Sequence, residues 1–92
     1  MSDSAKITGR QIAAARAIAR LEQADLAKAA NISAPTLRRM EASEGPAVGM
    51  ANNVAAVRAA LESAGVIFVE ENEEGPGVRL RKAPQGTGGL GK

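Results

Sequence analysis

The nineteen residues from Gln23 to Glu41, QADLAKAANISAPTLRRME, constrain the fold of this chain more than any other stretch. Leu26 and Ala30 stand one helical turn apart, as do Leu37 and Met40, so each pair shares a helix face. Ile32 falls between the pairs, where a tight turn buries it. Asn31 is, after glycine, the residue most able to take the left-handed conformation that ends a helix. Ser33 is a good N-cap for the second of the two helices. Ala27 is small at the point where two helices would cross. Two short helices joined this way form a helix-turn-helix, whose second helix can enter the major groove of DNA.

The order of residues in this region resembles the Xre family, the Cro and C-repressor type of phage and bacterial regulators. The likeness is carried by Gln23, Leu26-Ala27, a turn residue at Asn31, Ile32-Ser33, Leu37 and Met40-Glu41, with Arg16 seven residues before Gln23. Upstream, Ile7-Thr8-Gly9 and Gln11-Ile12 are similar to alphaproteobacterial members, and the likeness spans roughly residues 7 to 70. The resemblance implies a mainly α fold: a lambda-repressor-like helix-turn-helix domain of four to five helices, here with a short C-terminal β-hairpin. It also implies an ion pair between Arg16 and Glu41 and a DNA-backbone contact at Gln23. There are three departures from the family pattern. Asn31 replaces the usual glycine, Glu22 replaces a Ser or Thr cap, and Ala34-Pro35 stand where polar residues often read bases.

Composition fits a helical body. Of 92 residues 45% are hydrophobic, but twenty of these are alanines, and the only aromatic residue is Phe68. The core is therefore thin, aliphatic and helix-on-helix, in a single small domain with net stability of about 5–10 kcal/mol. There is no cysteine and no histidine, which excludes disulfides, thiolate or imidazole metal sites and the commonest nucleophile–base pairs. No catalytic constellation, cofactor or metal site is expected. The net charge of +2 permits nucleic-acid binding without requiring it. A polar start and no long apolar run predict a soluble cytoplasmic protein with no membrane partner.

Residues 1–6 read as a flexible arm. Residues 7–65 form the helix-turn-helix domain. Thr8 and Gln11 make a capping box, stapled by Ile7 and Ile12, so helix one starts near Gly9 and runs to about Arg20 with Ile12, Ala15 and Ala19 facing inward. Helix two begins near Gln23, where Glu22 works mainly through the helix dipole and Asp25 adds to it. Helix three comes after Ser33, with Pro35 confined to its first turn. A fourth helix starts between Ala47 and Asn53 and ends near Ala64, burying Val54, Val57, Leu61 and Ala64 before a Gly65 terminator.

From 66 to 82 the pattern becomes β-like, with VIFVE (66–70) and VRLRK (78–82) forming a hairpin around an acidic turn. Two isolated strands are marginal in water, so something must cover them. A second copy using Val66, Ile67, Phe68, Val69, Val78 and Leu80 would give a symmetric dimer; packing on the chain's own helices is the other solution. The carboxylates at 70–74 lack calcium-loop spacing and belong to a solvated turn. The Gly-rich residues 83–92 read as a disordered tail, in which GTGGLGK matches a phosphate-loop pattern only by its letters.

On a helical wheel anchored by Leu37, Met40 and Glu41, the opposite face of helix three carries Pro35 and Arg39, flanked by Thr36 and Arg38. Arg39 could donate bidentately to a guanine. Arg38 suits a phosphate and Thr36 either role. Gln23 stands at a helix start, where backbone N–H groups favour phosphate, and Ser33, the N-cap of helix three, is counted with the DNA-binding residues. Ala34 and Pro35 offer only apolar contact, so DNA shape is expected to supply much of any specificity. Lys6 and Arg10 are placed either to reach phosphates or simply to be solvated.

Two functions are expected of such a chain. The first is a sequence-specific double-stranded DNA-binding regulator, a homodimer on a palindromic operator, repressing by blocking polymerase. The alternative is a protein-binding helix-turn-helix module, anti-activator or antitoxin-like, docking through VIFVE and the outward side of the hairpin.

Overall fold

The computed structural model describes residues 6–70 and 73–82; residues 1–5 of the arm expected at 1–6, part of the acidic turn and the tail at 83–92 lie outside the described residues. Among the described residues, four helices, α1 (Gly9–Ala19), α2 (Gln23–Ala30), α3 (Ala34–Glu41) and α4 (Ala51–Ser63), precede a two-stranded antiparallel sheet of β1 (Val66–Val69) and β2 (Gly77–Leu80).

Local chemistry sets most of these boundaries. The Thr8 hydroxyl accepts from the Gln11 backbone N–H at 3.0 Å and the Gln11 side chain accepts from Thr8 N–H at 2.9 Å, closing the capping box of α1. The helix ends one residue before the expected Arg20, which is left-handed at φ 60°. That conformation lets Leu21 N–H return to the Arg16 carbonyl at 2.9 Å and turns the chain sharply into α2. Asn31 does the same for α2, at φ 59°, with Ile32 N–H donating to Ala27 O at 2.9 Å. Ser33 then caps α3 by accepting from Thr36 N–H at 3.2 Å, and Pro35 occupies the first turn, where its missing N–H costs nothing.

The core is a cluster of Ile7, Ile12, Ala15, Leu26, Ala27, Ala30, Leu37, Met40, Val57, Leu61 and Val66. Most of these are the residues whose helical spacing marks them as inward. Ala64 is a correction: it is the C-cap of α4 and exposed, because the helix stops at Ser63 and Gly65, at φ 101°, redirects the chain. Val54 is only half-buried.

The start of α1 approaches the end of α3 at van der Waals limits. Gly9 N–H donates to Gly45 O at 3.1 Å and Ala47 N–H to Ile7 O at 3.0 Å, lacing the chain entry to the loop after α3. A Cβ on Gly9 would lie 2.3 Å from the Met40 carbonyl oxygen, so this position admits no side chain.

The hairpin pairs Val66 with Leu80, Ile67 with Arg79, Phe68 with Val78 and Val69 with Gly77. β2 therefore occupies 77–80, one residue before the expected start, and Arg81 and Lys82 fall beyond it. The chain's own helices cover one side of the sheet. Val66 is fully buried, and Phe68 and Val78 pack against the helical core. Ile67 and Val69 are half-buried and Leu80 is 45% exposed. No helix among the described residues is long and apolar enough to cross a membrane.

Candidate nucleic-acid interface

α3 carries a cluster of exposed hydrogen-bond donors. Its inward side is anchored by Leu37 and Met40, both fully buried. Pro35, Arg38 and Arg39 are exposed and Thr36 is half-buried. Because Leu37 and Met40 bracket the two arginines in sequence, their burial forces both guanidinium groups outward.

A short chain of hydroxyls organises the start of this helix. Ser33 Oγ accepts from Thr36 N–H and donates to Thr36 Oγ1 at 2.8 Å. Thr36 Oγ1 also receives a long contact of 3.5 Å from Arg39 Nη2. That contact lightly orients the Arg39 guanidinium and leaves most of its five N–H donors free. The Arg38 guanidinium has no hydrogen-bond or ion-pair partner among the described residues. Ala34 is half-buried and packed against the core, so the apolar contribution at this end of the helix falls mainly to Pro35.

Behind this face lies a polar junction of three elements. Arg16 Nε donates to Glu41 Oε2 at 2.8 Å and Arg16 Nη2 to Glu41 Oε1 at 3.2 Å, a bidentate pair, while Nη1 donates to the Leu21 carbonyl at 3.0 Å. The side chains are 24% and 9% exposed, so the pair is sheltered but not sealed. Gln23 Nε2 donates to Glu41 Oε1 at 3.0 Å. The pair of Arg16 with Glu41 matches the sequence expectation. The Gln23 contact adds something the sequence did not suggest: the amide expected to face a ligand is also bound to the protein. No one-dimensional pattern signals it, since it depends on how α2 crosses the end of α3.

Gln11 is a second residue whose role exceeds its sequence signal. Beyond the capping box, its Nε2 donates to the carbonyls of Gly77 at 2.9 Å and Val69 at 3.3 Å, tying α1 to both strands. Lys6 and Arg10 are exposed. Of the six hairpin residues expected at a dimer contact, Val66 is sealed inside the protomer, and Phe68 and Val78 serve its own core; Ile67, Val69 and Leu80 keep exposed surface.

Chemically, the exposed side of α3 is rich in donors and poor in acceptors. Glu41, the one carboxylate on this helix, is neutralised by Arg16. Such a surface complements acceptor-rich groups such as phosphate oxygens or the O6 and N7 of guanine. No protein-family model matches the chain, and a search of curated proteins finds no significant match.

Proposed function

We propose that this chain is a helix-turn-helix regulator of the lambda-repressor-like, Xre-resembling kind, which binds double-stranded DNA sequence-specifically as a homodimer. The observation that carries the proposal is the exposed pair Arg38 and Arg39 on a helix whose opposite side is locked into the core by Leu37 and Met40. A rigid helix with outward guanidinium groups suits major-groove entry, Arg39 toward a base and Arg38 toward the backbone. Two such helices in a dimer would meet half-sites about 34 Å apart. Repression by steric exclusion of polymerase is the simplest consequence. The side of the hairpin turned away from the helices supports dimerisation through Ile67 and Val69, which keep exposed surface; Leu80, paired with Val66, shares the covered side.

The test is selection of duplexes from a random pool, then the salt dependence of the recovered site. A slope corresponding to several neutralised phosphates is expected. Arg39→Ala should cost about 1–3 kcal/mol on that site, whereas Arg38→Ala should weaken all sequences alike and lower the salt slope by about one. No retained duplex at low ionic strength would reject the proposal. Ile67→Asp should give a monomer by sedimentation; truncation after Gly65 is the poorer test, because it removes Val66 from the core.

A second function, docking on a partner protein, draws support from exposed apolar side chains at Val48 (52%) and Met50 (67%) before α4. Protein capture that is unaffected by Arg38→Ala and Arg39→Ala but abolished by Met50→Asp would favour it.

A further inference from the structure

We infer that Glu41 is a positioning residue for DNA binding: with its charge neutralised by Arg16, it holds the Gln23 amide so that one N–H remains free for a phosphate that Arg38 also contacts. This assignment rests on the DNA-binding proposal and specifies how its backbone contact is built.

The geometry begins at one carboxylate. Glu41 Oε1 accepts from both Arg16 Nη2 (3.2 Å) and Gln23 Nε2 (3.0 Å), and Oε2 accepts from Arg16 Nε (2.8 Å). A primary amide nitrogen carries two hydrogens. One is committed to Glu41, which defines the direction of the other. Gln23 is the first residue of α2, where the helix N-terminus favours an anion, and its side chain is only half-buried. Arg38 lies three residues before Glu41 on α3, so the two are neighbours on one helix surface, and Arg38 is exposed. An anion approaching the free Gln23 N–H is therefore brought beside the Arg38 guanidinium.

Charge explains why Arg16 belongs to the device. A bare carboxylate next to a phosphate-binding amide would repel the ligand it helps to bind. The bidentate contact with Arg16 cancels that charge while leaving Oε1 able to accept from Gln23. An ion pair that joins α1 to α3 thus also fixes a side chain of α2. A free glutamine would lose rotamer entropy on binding; one already held loses little.

The experiment is a double-mutant cycle on binding to a mixed-sequence duplex of about 20 base pairs at about 50 mM salt, where sequence-independent backbone contacts dominate. The background carries Arg16→Met together with Glu41→Leu, which removes the acceptor without changing net charge. Gln23→Ala should weaken binding about tenfold in the wild-type background and less than about threefold in the double replacement. Equal losses in both backgrounds would overturn the inference while leaving the DNA-binding proposal standing. Wild-type protein that retains no duplex would overturn both.

Should the double replacement unfold in a thermal melt, NMR of the Gln23 side-chain amide in the wild type decides the matter. Its two hydrogens should be well separated in the free protein, and only the one not bonded to Glu41 should shift on duplex addition. Equal movement of both, or of neither, would overturn the positioning role.

Discussion

The Gln11 side-chain amide lies 2.9 Å from the carbonyl oxygen of Gly77, joining the first turn of α1 to the second strand of the hairpin across most of the sequence. The same nitrogen reaches Val69 O at 3.3 Å, while the side-chain oxygen caps the helix by accepting from Thr8 N–H. Among the described residues Gln11 is the only buried polar side chain, 6% exposed, and each of its polar atoms has a partner. A single residue thereby secures a helix start and anchors a sheet that two strands alone would not sustain.

Replacing Gln11 should reveal both functions. Thr8→Ala removes only the cap and should cost about 1 kcal/mol. Gln11→Met removes the reciprocal cap and both hairpin bonds, and should cost about 2–3 kcal/mol. Urea unfolding measures the totals. Hydrogen exchange of the hairpin amides should accelerate in Gln11→Met and not in Thr8→Ala.

Gly9 is required for space rather than for backbone freedom. A methyl at this position meets the Met40 carbonyl at 2.3 Å and the Ser43 carbonyl at 2.9 Å, and neither is the yielding end of a side chain. Gly9→Ala should destabilise by about 3 kcal/mol, at the upper end of overpacking effects. Gly45→Ala has nothing within 4 Å of its new methyl and should change stability by less than about 1 kcal/mol. Denaturant midpoints of the two variants make the comparison.

Single replacement of either member of the Arg16–Glu41 pair leaves a sheltered charge without its partner. With side chains 24% and 9% exposed, solvent offsets part of that penalty. Arg16→Ala or Glu41→Ala should cost about 2–3 kcal/mol, below the roughly 3–5 kcal/mol of a fully buried pair. Arg16→Met combined with Glu41→Leu should recover most of the loss, because neither charge is then stranded. Thermal melts of the three proteins check this.

Arg20 is exposed and left-handed, a conformation that costs a residue with a side chain about 1 kcal/mol relative to glycine. Arg20→Gly should raise stability by about that amount. Asn31→Gly should gain less, because asparagine already tolerates φ 59°. Differential scanning calorimetry resolves such shifts in a domain this small.

Local chemistry written in consecutive residues determined a large part of this molecule. Thr8 with Gln11, Ser33 with Pro35, Asn31 and Gly65 mark helix starts and stops because caps and left-handed turns are set within a few residues. The spacing of Leu26, Ala30, Leu37 and Met40 determined the inward faces, since helical period alone decides which side chains share a side. Tertiary structure alone decided which distant groups meet. That Gln11 holds Gly77, that Gly9 touches the Met40 carbonyl, that Gln23 bends toward Glu41, and that Val66 serves its own core rather than a neighbour's all depend on crossings between elements far apart in the chain. Periodicity specifies a face but not its partner, because the contact is fixed only when several faces compete to exclude water at once.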